Sequence, residues 1–227
     1  MARSRLDTLP GSTPVWDLPV RLFHWALVVL VLSQAVTALI GGNAMEYHAL
    51  GGYAILTLVI FRILWGFAGG THARFGDFVR GPVRVMRYAR SLFGEAHEGH
   101  LGHNPLGGWS VLLMLACLLT QTLSGLFADD EVLTQGPLAK HVSDEISSLA
   151  TRIHDVNALV LLALIGLHVA AVFFYLLAKK DNLIKPMITG QKPVSPPPAH
   201  PSGYGNPLLA AILLACAGLG VFFLIRI

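Results

Sequence analysis

Residues 151–180 read TRIHDVNALVLLALIGLHVAAVFFYLLAKK, an apolar run that is long enough to cross a bilayer and that contains two histidines. His154 and His168 are 14 residues apart, so in an α-helix they lie on nearly the same face, about 21 Å apart along the axis. An ionisable side chain in hydrocarbon costs roughly a few kcal/mol, so an intramembrane histidine is a candidate functional residue. The stretch predicts one helix that presents two nitrogen ligands at two membrane depths.

The composition extends this prediction to the whole chain. Of its 227 residues 54% are hydrophobic and only 13% are charged, which is too apolar for an ordinary soluble domain. Five segments reach the length of a membrane span, namely 19–41, 47–69, 105–128, 150–178 and 207–226. The sequence therefore predicts an all-α membrane protein, a four-helix transmembrane bundle plus a fifth, C-terminal transmembrane helix.

The loops between these spans carry very different numbers of basic residues. One side of the membrane receives Arg3, Arg5, Arg74, Arg80, Arg84, Arg87, Arg90, Lys179, Lys180, Lys185 and Lys192, and the other receives Lys140, Arg152 and Arg226. Because basic loops stay in the cytoplasm, we expect a multi-pass protein with a cytoplasmic N-terminus. The arginines of 79–94 predict a short helix on anionic lipid headgroups. The net charge of +3 is thus explained by topology, and we expect no nucleic acid partner.

Two further histidines lie in the first two spans, and the predicted topology sorts all four by depth. His24 and His168 lie towards the cytoplasm, whereas His48 and His154 lie towards the outside. One histidine in an apolar span is usually a packing residue, but four that pair by depth across three helices indicate two ligand pairs.

The cofactor follows from the number of ligands at each depth. Zinc generally takes four protein ligands, or three and a water, whereas two opposed imidazoles fit the two axial positions of a haem. The chain has only two cysteines, Cys117 and Cys216, and no C-x-x-C-H motif, which excludes covalent c-type attachment. We therefore expect two haems b, and saturated axial positions leave electron transfer as the chemistry.

Residues near these histidines permit two interpretations. Gly51 and Gly52 indicate either close helix packing or space for a flat macrocycle. Arg62, 14 residues after His48, indicates either a partner for a haem propionate or a side chain that reaches the membrane surface.

Three histidines recur in the loop before the third long span. They are His97, His100 and His103. Because glycines between them oppose a rigid helix, we interpret this stretch as a solvated loop and not as a metal site.

Several motifs resemble those of the bacterial cytochrome b561 family, in the group related to the cytochrome b subunits of nickel–iron hydrogenases. They are RLFHW at 21–25, EYHALGGY at 46–53, GHNPLGGW at 102–109 and the two-histidine helix with its D-N-L exit at 152–190. The resemblance covers about residues 15–190. It implies a four-helix core with two haems b that passes electrons between a quinone pool and a partner protein, and its implied axial ligands match the pairs above.

The expected organisation has four parts: a cytoplasmic N-terminus at 1–18, the cytochrome b561-like domain at 19–190, a Pro-rich linker at 191–206 and a transmembrane helix at 207–227. The expected partners are membrane lipid, a quinone as possible substrate, and a redox protein, either a hydrogenase or a c-type cytochrome. One alternative is a stand-alone quinone oxidoreductase for a small oxidant or reductant such as superoxide. Alternatives of other classes are a histidine-based metal or proton transporter and a structural anchor.

Overall fold

The computed structural model describes residues 12–92, 100–129, 134–193 and 202–227. Arg3, Arg5 and His97, and residues 194–201 of the predicted Pro-rich linker, lie outside these ranges. The helices are α1 (Leu18–Ile40), α2 (Ala44–Ala68), α3 (Phe75–Phe78), α4 (Pro82–Ser91), α5 (Pro105–Phe127), α6 (Asp144–Leu177), α7 (Ile184–Thr189) and α8 (Pro207–Leu224). Strands β1 (Ser12–Pro14) and β2 (Gln191–Pro193) pair antiparallel, and two 3-10 turns occupy Thr71–Ala73 and Ala139–His141.

Within the described part of the chain, five helices are long and apolar enough to cross a membrane, namely α1, α2, α5, α6 and α8. Three of them begin at the same end of the bundle and have the same kind of N-terminal cap. Asp17, Asn104 and Asn206 accept hydrogen bonds from the first free backbone N–H groups of α1, α5 and α8, and each helix has a proline in its first turn. The prediction of an all-α membrane protein with five spans is confirmed.

Helix α2 is the centre of the bundle. It packs against α1, α5 and α8, and the largest fully buried side chains, Leu56, Val59 and Trp65, all belong to it. Helix α6 packs most closely along α5, and its backbone lies further from α1 and α2. Side chains rather than close backbone packing therefore join α6 to the two helices that carry the other predicted ligands.

An apolar layer fills the middle of the bundle. Its buried members come from α2, α5 and α6, and they are Ile55, Val59, Cys117, Leu118 and Leu161. Leu161 is seven residues from each histidine of α6, and Ile55 is seven residues after His48. The layer therefore lies midway between the two histidine depths.

Outward-facing side chains of the long helices are apolar. On α1 and α6, Leu39 is 88% exposed, Leu159 70% and Leu167 67%. Exposed leucines on helices of membrane length are the surface that faces lipid.

Helix α8 is packed into the bundle, because Ala210, Ala217 and Val221 are buried and the helix lies along α2. The segment that leads into it is held as well: the backbone of Thr71 donates to the carbonyl of Gly203 at 3.0 Å. The predicted division at 190 stays a prediction.

Candidate functional site

The bundle has two chemically different ends. At the acidic end, where α1 and α5 end and α2 and α6 begin, lie Glu46, Asp129, Asp144 and Glu145. At the basic end lie Arg74, Arg80, Arg84, Arg87, Arg90, Lys179, Lys180, Lys185 and Lys192. Each end of the membrane region contains one histidine pair, here called the acidic-end pair and the basic-end pair.

The acidic-end pair consists of His48 on α2 and His154 on α6. Their ring centroids are 6.3 Å apart and the ring planes are inclined by 70°. The two rings are adjacent although they belong to different helices, so the structure brings together the two residues that the sequence pairs by depth.

Hydrogen bonds fix the orientation of both rings. Nδ1 of His154 donates to the backbone carbonyl of Gln121 at 2.9 Å. Nδ1 of His48 lies 3.1 Å from the hydroxyl of Thr37, which itself donates to the carbonyl of Ser33 at 2.8 Å and therefore accepts from the histidine. Each ring thus carries its proton on Nδ1, and the lone pair of Nε2 is available to bind a metal.

Helix α5 supports His154 in two further ways. A Cβ atom at Gly125 would lie 3.0 Å from Cε1 of His154, so only glycine leaves room for the ring. The side-chain amide of Asn157 donates to the side chain of Gln121 at 2.7 Å and to the carbonyl of Cys117 at 2.9 Å. Gln121 therefore joins α5 to α6 through this hydrogen bond.

The basic-end pair consists of His24 on α1 and His168 on α6. Their centroids are 6.4 Å apart and the planes are inclined by 55°. Unlike the acidic-end rings, His24 has a solvent-shielded Nδ1 that contacts no hydrogen-bond partner within the described ranges. A buried donor without a partner costs about 1–3 kcal/mol. A group that accepts a hydrogen bond from His24 would therefore stabilise this end of the bundle.

Arg62 lies on α2 at the basic end and is only 3% exposed. Its guanidinium lies 5.4 Å from the ring centroid of Phe75, and its shielded Nη1 has no hydrogen-bond partner among the described residues. The interpretation in which Arg62 reaches the membrane surface is wrong, because the side chain is enclosed by the bundle.

His103 is a basic-end residue that the sequence interpretation missed. Its ring lies between Trp16 and Phe78, at centroid distances of 4.6 and 4.5 Å, and its shielded Nδ1 has no partner within the part of the chain that the structure describes. Burial, and to a lesser extent the positive charge of Arg62, lower the pKa of His103 to about 3. The interpretation as a solvated loop is wrong for this residue, because the cap at Asn104 fixes it against the bundle.

The two glycines of α2 have different surroundings. A Cβ at Gly51 would lie 2.2 Å from Nε2 of Gln34 on α1, so this glycine permits close approach of the two helices. At Gly52 a Cβ would meet only Oε1 of Gln34, at 4.0 Å. Close packing therefore accounts for Gly51, and Gly52 lines a less crowded part of the interface.

Both histidine pairs have the spacing of two ligands on one metal ion. A metal–imidazole bond is about 2 Å long, so rings on opposite sides of one ion have centroids roughly 6 Å apart. Among the residues that the structure describes, no group of three or more His, Cys, Asp or Glu side chains could hold a metal ion. Two imidazoles at this spacing, with no third ligand among the described residues, fit the two protein ligands of a haem iron better than a zinc site.

Sequence patterns alone gave little sign of the supporting residues Thr37, Gly125 and His103. Threonine and glycine are ordinary in membrane helices, and only the partner across the helix interface distinguishes these two. For His103 a signal did exist: it directly precedes the Asn104–Pro105 helix start, which places it at the membrane surface.

Comparisons with known proteins agree with this geometry. The sequence model of the family described as prokaryotic cytochrome b561 matches residues 15–190. A probable Ni/Fe-hydrogenase B-type cytochrome subunit of Azotobacter chroococcum mcd 1 is 26% identical over 78% of this chain and 86% of its own length. A protein of the same description from Rhizobium leguminosarum bv. viciae is 21% identical over 80% of this chain and 89% of its own length.

No solved structure matches the chain significantly. The family match nevertheless spans α1, α2 and α6, the three helices that contain both histidine pairs, and α5, which packs against α6. We conclude that the chain belongs to the prokaryotic cytochrome b561 family and is a multi-pass membrane b-type cytochrome of electron transfer.

Proposed function

We propose that this protein holds two haems b, one between His24 and His168 and one between His48 and His154, and carries electrons across the membrane between a quinone pool and a redox protein. The observation that carries the proposal is the presence of two facing imidazole pairs with nearly equal centroid distances of 6.4 and 6.3 Å. Arg62 and Gly52 are the other candidate cofactor contacts, and Gly51 contributes by setting the α1–α2 distance.

The protein's own part in this function is to position the two haems and to keep water out of the space between them. In the holoprotein each histidine pair would supply both protein ligands of one haem iron, which would leave no open position for a substrate. Bound haem b supplies a one-electron redox couple. The apolar layer around Val59 and Leu161 excludes water between the two levels, so charge is confined to the two ends of the bundle.

The proposed protein partner is a hydrogenase. Two relatives described as probable Ni/Fe-hydrogenase B-type cytochrome subunits match this chain over most of both lengths, which supports a subunit of similar role. A c-type cytochrome as partner, or a small oxidant such as superoxide, is the alternative outcome. Co-purification from detergent extracts distinguishes them, because a hydrogenase subunit retains its catalytic partner.

The proposed orientation places the basic end in the cytoplasm of a bacterial inner membrane. Lys179, Lys180 and the arginines of α4 lie at that end, and basic loops are retained on the cytoplasmic side. A topology reporter fused after Ile227 should accordingly give the signal of a site outside the cytoplasm. A cytoplasmic signal at that position would contradict the proposed orientation.

The direct test is the haem content of the purified protein. We expect a b-type absorption spectrum with about two haems per chain, and His168→Ala should lose one haem and keep the other. His141→Ala is the matched control, because His141 is exposed in a 3-10 turn at the acidic end. A colourless wild-type protein that transports metal ions or protons would instead establish the transporter alternative.

A further inference from the structure

The basic end contains several buried nitrogen atoms with no hydrogen-bond partner. Nη1 of Arg62 and Nδ1 of His103 are both shielded from solvent and have no partner among the described residues. Buried polar groups in native proteins are almost always paired, and a buried guanidinium in particular requires an anion. Two such groups near one another point to a ligand that accepts hydrogen bonds.

Aromatic side chains hold the two groups in one place. The Arg62 guanidinium lies 5.4 Å from the Phe75 ring centroid, and the His103 ring lies 4.5 Å from that of Phe78. Phe75 and Phe78 contact each other edge to face at 5.7 Å. Arg62 and His103 therefore lie over two sides of a single aromatic pair on α3, and the charge of Arg62 lowers the pKa of His103.

The nearby carboxylate of Asp17 does not satisfy Arg62. Asp17 already accepts hydrogen bonds from the backbone of Val20 at 3.0 Å, from the indole of Trp65 at 3.1 Å and from the backbone of Gly70 at 3.2 Å. Nη1 of Arg62 is not among its donors. The anion that would complete this site therefore comes from outside the described chain.

We propose that Arg62 and His103 form a carboxylate cradle that binds a propionate of the basic-end haem. This inference rests on the proposed haem site at His24 and His168, and it adds His103 as a positioning residue of that site. The guanidinium supplies the charge, and Nδ1 of His103, in its protonated neutral tautomer, donates a hydrogen bond to the carboxylate. The cradle fixes the rotation of the macrocycle about the axis defined by the two axial ligands.

The test uses infrared difference spectra, recorded between the oxidised and reduced forms of the holoprotein. The haem is labelled biosynthetically with ¹³C in its propionate carboxylates, so the bands that move on labelling belong to those groups. Two variants of nearly equal shape are compared, His103→Asn and His103→Asp. The amide of Asn places an N–H where Nδ1 of the histidine was, whereas Asp places a carboxylate there that repels the propionate.

The proposal requires His103→Asn to keep the labelled bands near their wild-type frequencies, and His103→Asp and Arg62→Gln to shift them or to lose the basic-end haem. His141→Asp, at an exposed site, controls for the added charge. Equal behaviour of Asn and Asp, whether both bind haem unchanged or both lose it, overturns the cradle, as do static labelled bands in Arg62→Gln. A wild-type protein with no haem spectrum would instead refute the proposed function.

Discussion

The two histidine pairs differ in how their rings are held. At the acidic end, Nδ1 of His154 donates to a backbone carbonyl at 2.9 Å, and Nδ1 of His48 lies 3.1 Å from a threonine hydroxyl. At the basic end, Nδ1 of His24 has no partner among the described residues, and the shielded guanidinium of Arg62 lies at the same end. One site is oriented by neutral hydrogen bonds within the bundle, and the other lies at the end that contains a shielded guanidinium, which requires an anion.

This difference has a consequence for the proposed cofactors. Rings that are hydrogen-bonded through Nδ1 are oriented before any cofactor binds, so the acidic-end site is largely preformed. At the basic end the protein leaves polar groups unsatisfied, so binding there would gain hydrogen bonds as well as axial ligation. The acidic-end site should therefore depend on helix packing, and the basic-end site on charge.

The largest expected effect comes from filling the space beside His154. Gly125→Val places atoms where even a Cβ lies 3.0 Å from the ring, so the ring must rotate away from His48. We expect loss of most of the acidic-end haem and retention of the basic-end haem, measured by the amplitude of each wave in a redox titration.

Gly166→Val is the control for this prediction. Gly166 lies on α6, which packs against the helix of Gly125, and a Cβ at this position would meet nothing within 4 Å. Equal haem loss in both variants would mean that valine disturbs helix insertion in general. Retention of both haems in Gly125→Val would show that the ring position is not fixed by α5.

A smaller effect is expected when a ring loses only its hydrogen bond. Thr37→Val removes the acceptor of His48 Nδ1 while keeping the shape of the side chain. Outer partners of metal-bound histidines are typically worth about 10–100-fold in affinity, so the acidic-end haem should dissociate correspondingly faster. The rate of haem transfer to an apo-globin acceptor measures this change.

Thr57→Val provides the comparison, since the hydroxyl of Thr57 bonds only to the carbonyl of Tyr53 in its own helix and the side chain faces α8. If Thr37→Val released haem no faster than Thr57→Val, the acidic-end site would not be preformed by its hydrogen bonds.

The smallest effect concerns the charge at the basic end. Arg62→Gln removes a buried positive charge that favours the reduced form of a nearby haem, so the midpoint potential should fall. A unit charge within about 10 Å contributes on the order of 1–2 kcal/mol at an effective dielectric constant of about 20. For a one-electron couple this corresponds to several tens of millivolts, because a tenfold change in the equilibrium constant is about 59 mV.

Arg226→Gln is a matched control, because Arg226 also lies over an aromatic ring, that of Phe222 at 3.9 Å, but near the end of α8. It should leave the basic-end potential unchanged. An unchanged potential in Arg62→Gln as well would contradict the assignment of the basic end as the charge-dependent site.

The sequence predicted the helices and the pairing of histidines well because both depend on local properties. Helix length follows from the number of apolar residues needed to cross hydrocarbon, and the depth of a residue follows from its position along the helix. His24, His48, His154 and His168 could therefore be sorted into pairs without knowing which helices are neighbours, and the structure brings each pair within 6.4 Å.

The residues that support the histidines were not predictable in the same way. Thr37 contacts His48 across the α1–α2 turn, and Gly125 clears the ring of His154 across the α5–α6 interface. His103 was interpreted as solvated because its neighbours in sequence are glycines, yet Trp16 and Phe78 cover it from distant parts of the chain. These contacts depend on which helix faces share an interface.

The sequence by itself thus determined that this is a membrane bundle with two pairs of histidines within its spans, because hydrophobic length and residue spacing are properties of single helices. Only the tertiary structure decided that one pair is oriented by hydrogen bonds and that the other lies at the end where Arg62 and His103 are unsatisfied. The physical reason is that a hydrogen bond or a desolvated charge depends on the neighbouring group in space. At these two sites the neighbouring groups belong to other segments of the chain.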